Sequence, residues 1–303
     1  TKINYIGGQD KELKWGRLKN QPDIIWVILE KPLKVDEIFK LNLVYVIKIP
    51  DAKFNRYGYD QEGNIFLRNW HIILNQHQKG KWLNYSNLDL DDLNPIPAKY
   101  QVKIFGQDQF ETDLNLKLVK QENQVQHFQG SDIKELILSL SVDDQFESFF
   151  TDSENTIVTD IFRKVNKDEA KRIINTIDDF IGENLIYKKN RKYLVPKLMY
   201  EKNPFFGLND LPDFLTPFDV DFLAEISYLK AFLHFYLNSN TNFDTRKNHW
   251  IIGGLQTYFI IKYIEKFHPN QKFIGRIGDF KIMKGYNIAD INFNESFFMF
   301  YEL

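Results

Sequence analysis

The chain has 303 residues, 43% of them hydrophobic and 26% charged, and its formal net charge is -2. This composition is typical of a globular protein, and the balanced charge argues against nucleic-acid binding, which needs a basic surface. The absence of cysteine excludes disulfides, thiolate zinc ligands and cysteine nucleophiles. No apolar run is long enough to predict a transmembrane helix.

Residues 1 to about 145 have the pattern of short β-strands. Apolar residues alternate from Leu41 to Ile47, as in a half-buried strand. Clusters of turn-forming residues at 60–63 and 78–80 separate the apolar runs. This spacing predicts an antiparallel β-sandwich or saddle domain over residues 1–150. The other predicted strands are Ile24–Leu29, Ile65–Leu67, Trp70–Leu74, Tyr100–Phe105, Leu114–Leu118 and Ile137–Leu140.

The pattern becomes helical near residue 165. A helix is predicted over 168–182, with Gly182 as its end, and a strand at 193–195. A second helix is predicted to begin at Thr216 as N-cap, with Pro217 in its first position. A third is predicted over 246–267. The sequence therefore predicts an α+β protein with a mainly helical domain over 160–303. The second helix carries an apolar stripe of Phe222, Ile226, Leu229, Phe232 or Leu233, and Tyr236.

Two helical segments carry motifs. Residues 222–230 read FLAEISYLK and residues 250–258 read WIIGGLQTY. Together with 40–50, 54–58 and 67–73 of the β region, their order resembles that of the gluzincin (membrane alanyl aminopeptidase-type) metallopeptidases. The resemblance implies an amino-terminal β domain followed by a thermolysin-like catalytic domain. In that family H-E-x-x-H supplies two zinc ligands and a general base, and W-x-x-E-G-x-x-x-Y supplies the third ligand.

The resemblance places Ala224, Glu225 and Tyr228 on the H-E-x-x-H positions and Gly253 on the third ligand position. Alanine and glycine offer no donor, and tyrosine ligates only as a phenolate, with an ordinary pKa near 10. With all three ligands replaced, we expect no metal site and no cofactor. Glu225 is then a relic of the base, because it has no zinc-bound water to activate.

The family's G-x-M-E-N loop holds the free amino terminus of the substrate. Its nearest counterpart here is residues 207–210, where Asp210 takes the position of the amine-binding Glu. We therefore expect these substrate-binding residues: Gly207, Leu208, Asn209 and Asp210.

Each position also has a simpler interpretation. Glu225 can be an ordinary helix Glu, solvated or paired with a basic group, and Tyr228 an ordinary core residue. Gly253 and Gly254 lie inside a helix, where each costs about 1 kcal/mol relative to Ala. We favour close helix packing as their reason over the floor of a cleft. The six His residues show no ligand spacing.

The leading hypothesis is a pseudo-aminopeptidase that binds peptide or protein, or serves as a scaffold subunit of a larger assembly. The alternative is an active zinc aminopeptidase whose ligands are rearranged, for example Glu225 with Asp210 or His249. A metal-free hydrolase ranks below both, since no nucleophile–His–acid set is visible. We also expect an exported, periplasmic or surface-associated chain, and a catalytic-type domain that is incomplete at Leu303.

Overall fold

The protein is described here from a computed structural model, for residues 1–8, 11–53, 57–84, 93–105, 110–186, 189–202, 219–241 and 244–269. It is a mixed α+β structure with strands concentrated in the first half, in several mainly antiparallel sheets. No helix in these ranges is long and apolar enough to span a membrane.

The first nine strands form hairpins and small sheets. Strands β1, β2 and β5 form one sheet in the order β2-β1-β5, and β3 pairs with β4. The predicted turns are confirmed: the carboxylate of Asp60 accepts from the backbone N–H of Glu62 and Asn64, and Lys79 and Gly80 link β8 to β9 with positive φ. The strands are β1 (Lys2–Gly8), β2 (Lys11–Glu12), β3 (Lys14–Leu18), β4 (Gln21–Ile28), β5 (Leu41–Val46), β6 (Gly58–Tyr59), β7 (Ile65–Arg68), β8 (His77–Gln78) and β9 (Lys81–Trp82).

The remaining strands complete the sheets. One sheet has the order β10-β13-β12, another β11-β14-β7-β6, and a third β15-β16-β17, in which β16 and β17 are parallel. They are β10 (Ala98–Phe105), β11 (Glu111–Leu114), β12 (Lys117–Glu122), β13 (Val125–Ile133), β14 (Ile137–Ser141), β15 (Glu147–Phe150), β16 (Thr156–Thr159) and β17 (Lys192–Leu194).

Two predicted strands are wrong. Residues 70–74 do not form a strand, because Asn69 adopts a left-handed φ of 45° that ends β7. The run predicted over 114–118 is broken after Leu114 by Asn115. The Asn115 amide nitrogen donates to the Glu135 carbonyl at 2.7 Å, and its oxygen accepts from the Ile137 N–H at 2.9 Å. The side chain thus adds to the backbone hydrogen bond that the Asn115 N–H donates to the Ile137 carbonyl at 3.4 Å, at the point where β11 ends.

Four helices follow the strand-rich half: α1 (Lys167–Asn184), α2 (Lys197–Lys202), α3 (Val220–Asn240) and α4 (Thr245–Phe267). Helix α1 begins where the Asn166 side chain accepts from the Asp168 N–H at 2.9 Å. It continues beyond Gly182, so the predicted end at this glycine is wrong.

Helix α3 begins after Asp219 as N-cap, later than predicted; Thr216 lies outside the described residues. Helix α4 matches its prediction to within one residue at its start and has a kink at Asn248.

The sheet β11-β14-β7-β6 separates two apolar cores. Phe66 and Ile137 point into the core built around α1, α3 and α4, whereas their neighbours Leu67 and Leu138 point into the core of the β region. This follows from the period of two in a strand, and it makes β14 buried on both faces. The predicted division into domains at 150–160 remains a prediction.

Helix α3 is buried almost all round. Its predicted apolar stripe is confirmed, but further residues on its other faces are buried as well. Such a helix is the centre of a core rather than an amphipathic surface helix. The additional buried residues are Ala224, Glu225, Tyr228, Lys230, Ala231, Phe235 and Leu237.

The β region contains a buried ion pair, which lies close to the carboxyl-terminal end of α3. Arg68 Nε lies 2.5 Å from Glu135 Oε1, and both side chains are almost fully buried. Next to Glu135, Lys134 Nζ donates to the carbonyl of Thr241, directly after α3, at 2.8 Å. A buried ion pair costs much desolvation, so either partner left alone is strongly unfavourable.

We expect Arg68→Met to lower the free energy of unfolding by about 3–5 kcal/mol, because it leaves the Glu135 carboxylate buried without its guanidinium. The double variant Arg68→Met/Glu135→Leu should recover most of this loss, because neither charge remains. Urea unfolding at pH 7 measures both values. A double variant as unstable as the single one would contradict the role of the charge.

Candidate functional site

Three of the predicted zinc-site positions lie together on α3, and the fourth lies on the neighbouring helix α4. Ala224, Glu225 and Tyr228 are all buried, and Gly253 is half-buried. The two helices are held together one turn beyond Gly253, where Gln256 Nε2 donates to the Lys230 carbonyl at 2.8 Å. The structure therefore puts the predicted positions on two packed helices of one core.

Tyr228 occupies this core with its whole side chain. It is 1% exposed, its ring stacks on Phe232 with centroids 5.6 Å apart, and Phe162 packs against it at 5.3 Å. Burial raises the pKa of Tyr228 well above its ordinary value. The residue is thus a neutral phenol rather than the phenolate that a metal would require.

Glu225 is neither solvated nor open to a substrate. Its side chain is 8% exposed, and Oε1 accepts a hydrogen bond from the Tyr263 hydroxyl. His268 Nε2 lies 3.0 Å from the same oxygen and donates when it carries its proton. Of the simpler interpretations of Glu225, pairing with a basic group is therefore the one that the geometry favours.

Tyr263 and His268 are the partners that sequence reasoning missed. Burial, followed by the charge of Glu225, raises the pKa of Tyr263, so that its hydroxyl stays protonated and able to donate. The ring of His268 meets Phe222 edge-on at 5.0 Å. Tyr263 lies on the buried face of α4, and a buried Tyr usually needs a polar partner; this was the one signal in the sequence.

These residues do not fit a zinc ion. Ala224 and Gly253 provide no ligand atom, Tyr228 is held neutral, and Glu225 is already engaged by two donors. A zinc site needs about three or four good ligands around the metal. Within the described ranges, no group of three or more His, Cys, Asp or Glu side chains could hold a metal.

The other predicted site residues lie where the structure does not describe them. Gly207, Leu208, Asn209 and Asp210 fall outside the described residues. His249 lies in α4, but its side chain is not described. The substrate-binding loop and the rearranged metal site therefore remain predictions.

Among the described residues, none gives Gly254 the packing role that we favoured. A Cβ added at this position would meet no atom within 4 Å, and the residue is exposed. It faces away from α3, and the cost of a glycine inside a helix has no explanation within the described structure.

Lys230 is a buried cation in the same core, 1% exposed. Burial lowers its pKa from an ordinary 10.5 to about 7. The folded protein thus releases the proton of Lys230 in the pH range where the unfolded chain still holds it. Stability should therefore rise with pH above 7, as the buried ammonium gives way to the neutral amine.

The fold of this chain is similar to that of solved M1 zinc metallopeptidases. The chain is similar to the M1 zinc metallopeptidase from Deinococcus radiodurans, with a TM-score of 0.51, 12% identity and coverage of 87% of this chain and 61% of that one. It is also similar to a mutant of that organism's M1 enzyme bound to a Tyr-Ser-Ala substrate, with a TM-score of 0.53, 13% identity and 88% and 61% coverage.

A third solved structure, a two-domain M1 zinc metallopeptidase mutant bound to L-tryptophan, gives a TM-score of 0.52 at 12% identity, with 87% and 61% coverage. At such identities the likeness shows the fold alone. The chain spans 61% of the length of these structures. No family model matches the sequence, and no curated protein is similar to it in sequence.

We expect Glu225 and Tyr263 to be energetically coupled. Glu225→Ala should cost about 1–3 kcal/mol of stability, because it leaves the buried Tyr263 hydroxyl without an acceptor. Adding Tyr263→Phe to that variant should lower the free energy of unfolding much less than Tyr263→Phe lowers it in the wild type.

A double-mutant cycle from urea unfolding measures this coupling. The exposed Tyr258→Phe on the same helix is the matched control, expected to change stability by less than about 0.5 kcal/mol. Additive losses from the two variants would mean that the hydrogen bond does not stabilise the core.

Lys230→Met should remove the pH dependence that the buried amine causes. From pH 6 to pH 9, the wild type should gain about 2–3 kcal/mol of stability relative to the variant, because only its unfolded state keeps the lysine proton. Urea unfolding of both proteins at the two pH values measures the difference. If the difference in free energy of unfolding between wild type and variant is the same at pH 6 and pH 9, the pKa of Lys230 is not lowered.

Proposed function

We propose that this chain is a non-catalytic pseudo-aminopeptidase that serves as a peptide- or protein-binding scaffold. In this proposal residues 160–303 derive from a thermolysin-like catalytic domain that no longer binds zinc. The supporting observation is the burial of Tyr228 between Phe162 and Phe232, on the helix face that the resemblance assigns to the metal. An aromatic core in that position leaves neither a ligand nor a place for water.

The altered role of Glu225 supports the same proposal. A general base has to reach a water or substrate atom within hydrogen-bond distance. Here the carboxylate is 8% exposed and binds Tyr263 and His268 instead. These contacts join the first turns of α3 to the end of α4, so the former base would now serve stability.

The fold neighbours include an enzyme bound to a Tyr-Ser-Ala substrate and one bound to L-tryptophan. We propose that the chain keeps the capacity of this fold to hold an extended peptide or a segment of a protein partner, without cleaving it. Assembly into a larger complex and an exported, periplasmic or surface-associated location are part of the same proposal.

The experiment is to measure zinc and hydrolysis together. Full-length protein, purified without chelator and dialysed against trace zinc, should hold less than about a tenth of a zinc per chain by elemental mass spectrometry, because the three ligand positions carry no suitable donor. It should leave Tyr-Ser-Ala intact by mass spectrometry. The Deinococcus radiodurans enzyme, treated identically, is the positive control for both readouts.

Close to one zinc per chain, with tripeptide cleavage that a chelator and Glu225→Gln both abolish, would overturn this proposal. That result would favour the alternative, an active zinc aminopeptidase with ligands from elsewhere in the chain. The Glu225→Gln variant tests the base directly, since its amide keeps the size of the side chain but cannot accept a proton.

A further inference from the structure

A small polar pocket lies beside the buried ion pair of Arg68 and Glu135, where the β region meets the carboxyl-terminal end of α3. Its wall includes that ion pair, Asn69, Lys134, and Asn238 from the last turn of α3. The pocket has a volume of about 20 Å³. A cavity needs at least about 10–15 Å³ to hold one water, so this pocket has the size of a single water molecule.

Lys134 brings a buried cation to the pocket. The residue is 6% exposed, and its Nζ donates to the carbonyl of Thr241 at 2.8 Å. An ammonium has three N–H groups, and the other two have no acceptor among the described residues. A buried donor without a hydrogen bond destabilises the fold, so these N–H groups favour an acceptor in the pocket.

Asn69 brings a buried acceptor to the same pocket. Its Oδ1 has no hydrogen-bond partner in the described part of the chain. The orientation of the amide follows from Glu135, whose Oε1 lies 3.5 Å from Nδ2, because an ionised carboxylate only accepts. The backbone is held as well, since the Asn69 N–H donates to the Leu136 carbonyl at 2.9 Å. Oδ1 therefore requires a donor, which an occupant of the pocket can supply.

The charges around the pocket favour a neutral occupant. Arg68 and Lys134 are both cationic, so they would repel a metal ion or an ammonium group. An anion would face the carboxylate of Glu135 and the amide oxygen of Asn69. An O–H group suits both sides, because its oxygen accepts from an ammonium and its hydrogen is donated to an amide oxygen.

We propose that this pocket binds one ordered water, which accepts from Lys134 Nζ and donates to Asn69 Oδ1. The amide oxygen of Asn238 accepts its second O–H, since the nitrogen of that amide already donates to the His234 carbonyl at 3.0 Å. Three hydrogen bonds are the usual number for a buried water. The water thus joins the end of β7 to the last turn of α3, and it depends on neither zinc nor a peptide ligand.

The number of long-lived waters, measured by oxygen-17 magnetic relaxation dispersion on the full chain, tests the inference. The wild type should hold one more such water than Lys134→Met, because methionine has nearly the same length but no N–H groups. Lys103→Met, at an exposed lysine of β10, is the matched control and should keep the wild-type count. A crystal structure of the wild type should show the water within about 2.6–3.2 Å of both Lys134 Nζ and Asn69 Oδ1.

Asn69→Gly tests the other side of the pocket, and it serves also if Lys134→Met fails to fold. Glycine readily adopts the left-handed φ of 45° at this position, so the variant removes the acceptor without straining the backbone. It should also lose one long-lived water. In urea unfolding, the double variant should raise the unfolding constant about threefold or more below the product of the two single effects, because both residues share one water.

Three results would overturn the inference. The first is an equal number of long-lived waters in the wild type and in each variant that folds. The second is a crystal structure in which an ion occupies the pocket, because the charges would then select a charged occupant. The third is a double variant whose unfolding constant equals the product of the two single effects, because no shared water would then couple Asn69 and Lys134.

Discussion

The burial of α3 on almost every side is the constraint on which the helical half of the molecule depends. A helix with no solvent face must be covered by other elements around its whole circumference. Helices α1, α2 and α4 and the sheet of β15, β16 and β17 share a core with α3, and Phe66 and Ile137 from the β region contribute to it. The polar groups of α3 must therefore find partners inside the protein.

This constraint bears on the proposal that the chain derives from a zinc enzyme. A metal site needs polar ligands that face an open, hydrated position. The ring of Tyr228, which the resemblance assigns to a ligand position, contacts Phe162 and Phe232 in an apolar core. Glu225 fits into this core because Tyr263 and His268 contact its Oε1.

Local sequence patterns were sufficient to predict much of the fold. Periodicity predicted α4 to within a residue at its start and the bulk of α1, because each buries a regular set of apolar positions. The pattern could not predict the break at Asn115 or the end of β7 at Asn69, since each depends on a single side chain or backbone angle. The partners of Glu225 lie 38 and 43 residues along the chain, so only the crossing of α3 and α4 brings them together.

The amide of Asn115 has a consequence for the chemical ageing of the protein. Its nitrogen donates to one carbonyl and its oxygen accepts from one N–H, so both polar atoms of the side chain are hydrogen-bonded. Deamidation would replace the donating nitrogen by a second oxygen, and an anionic oxygen would then face the carbonyl of Glu135. Because Asn115 is buried, the desolvation of the new charge would destabilise the folded state. We therefore expect deamidation of Asn115 to weaken the contact between β11 and β14 and to destabilise the fold.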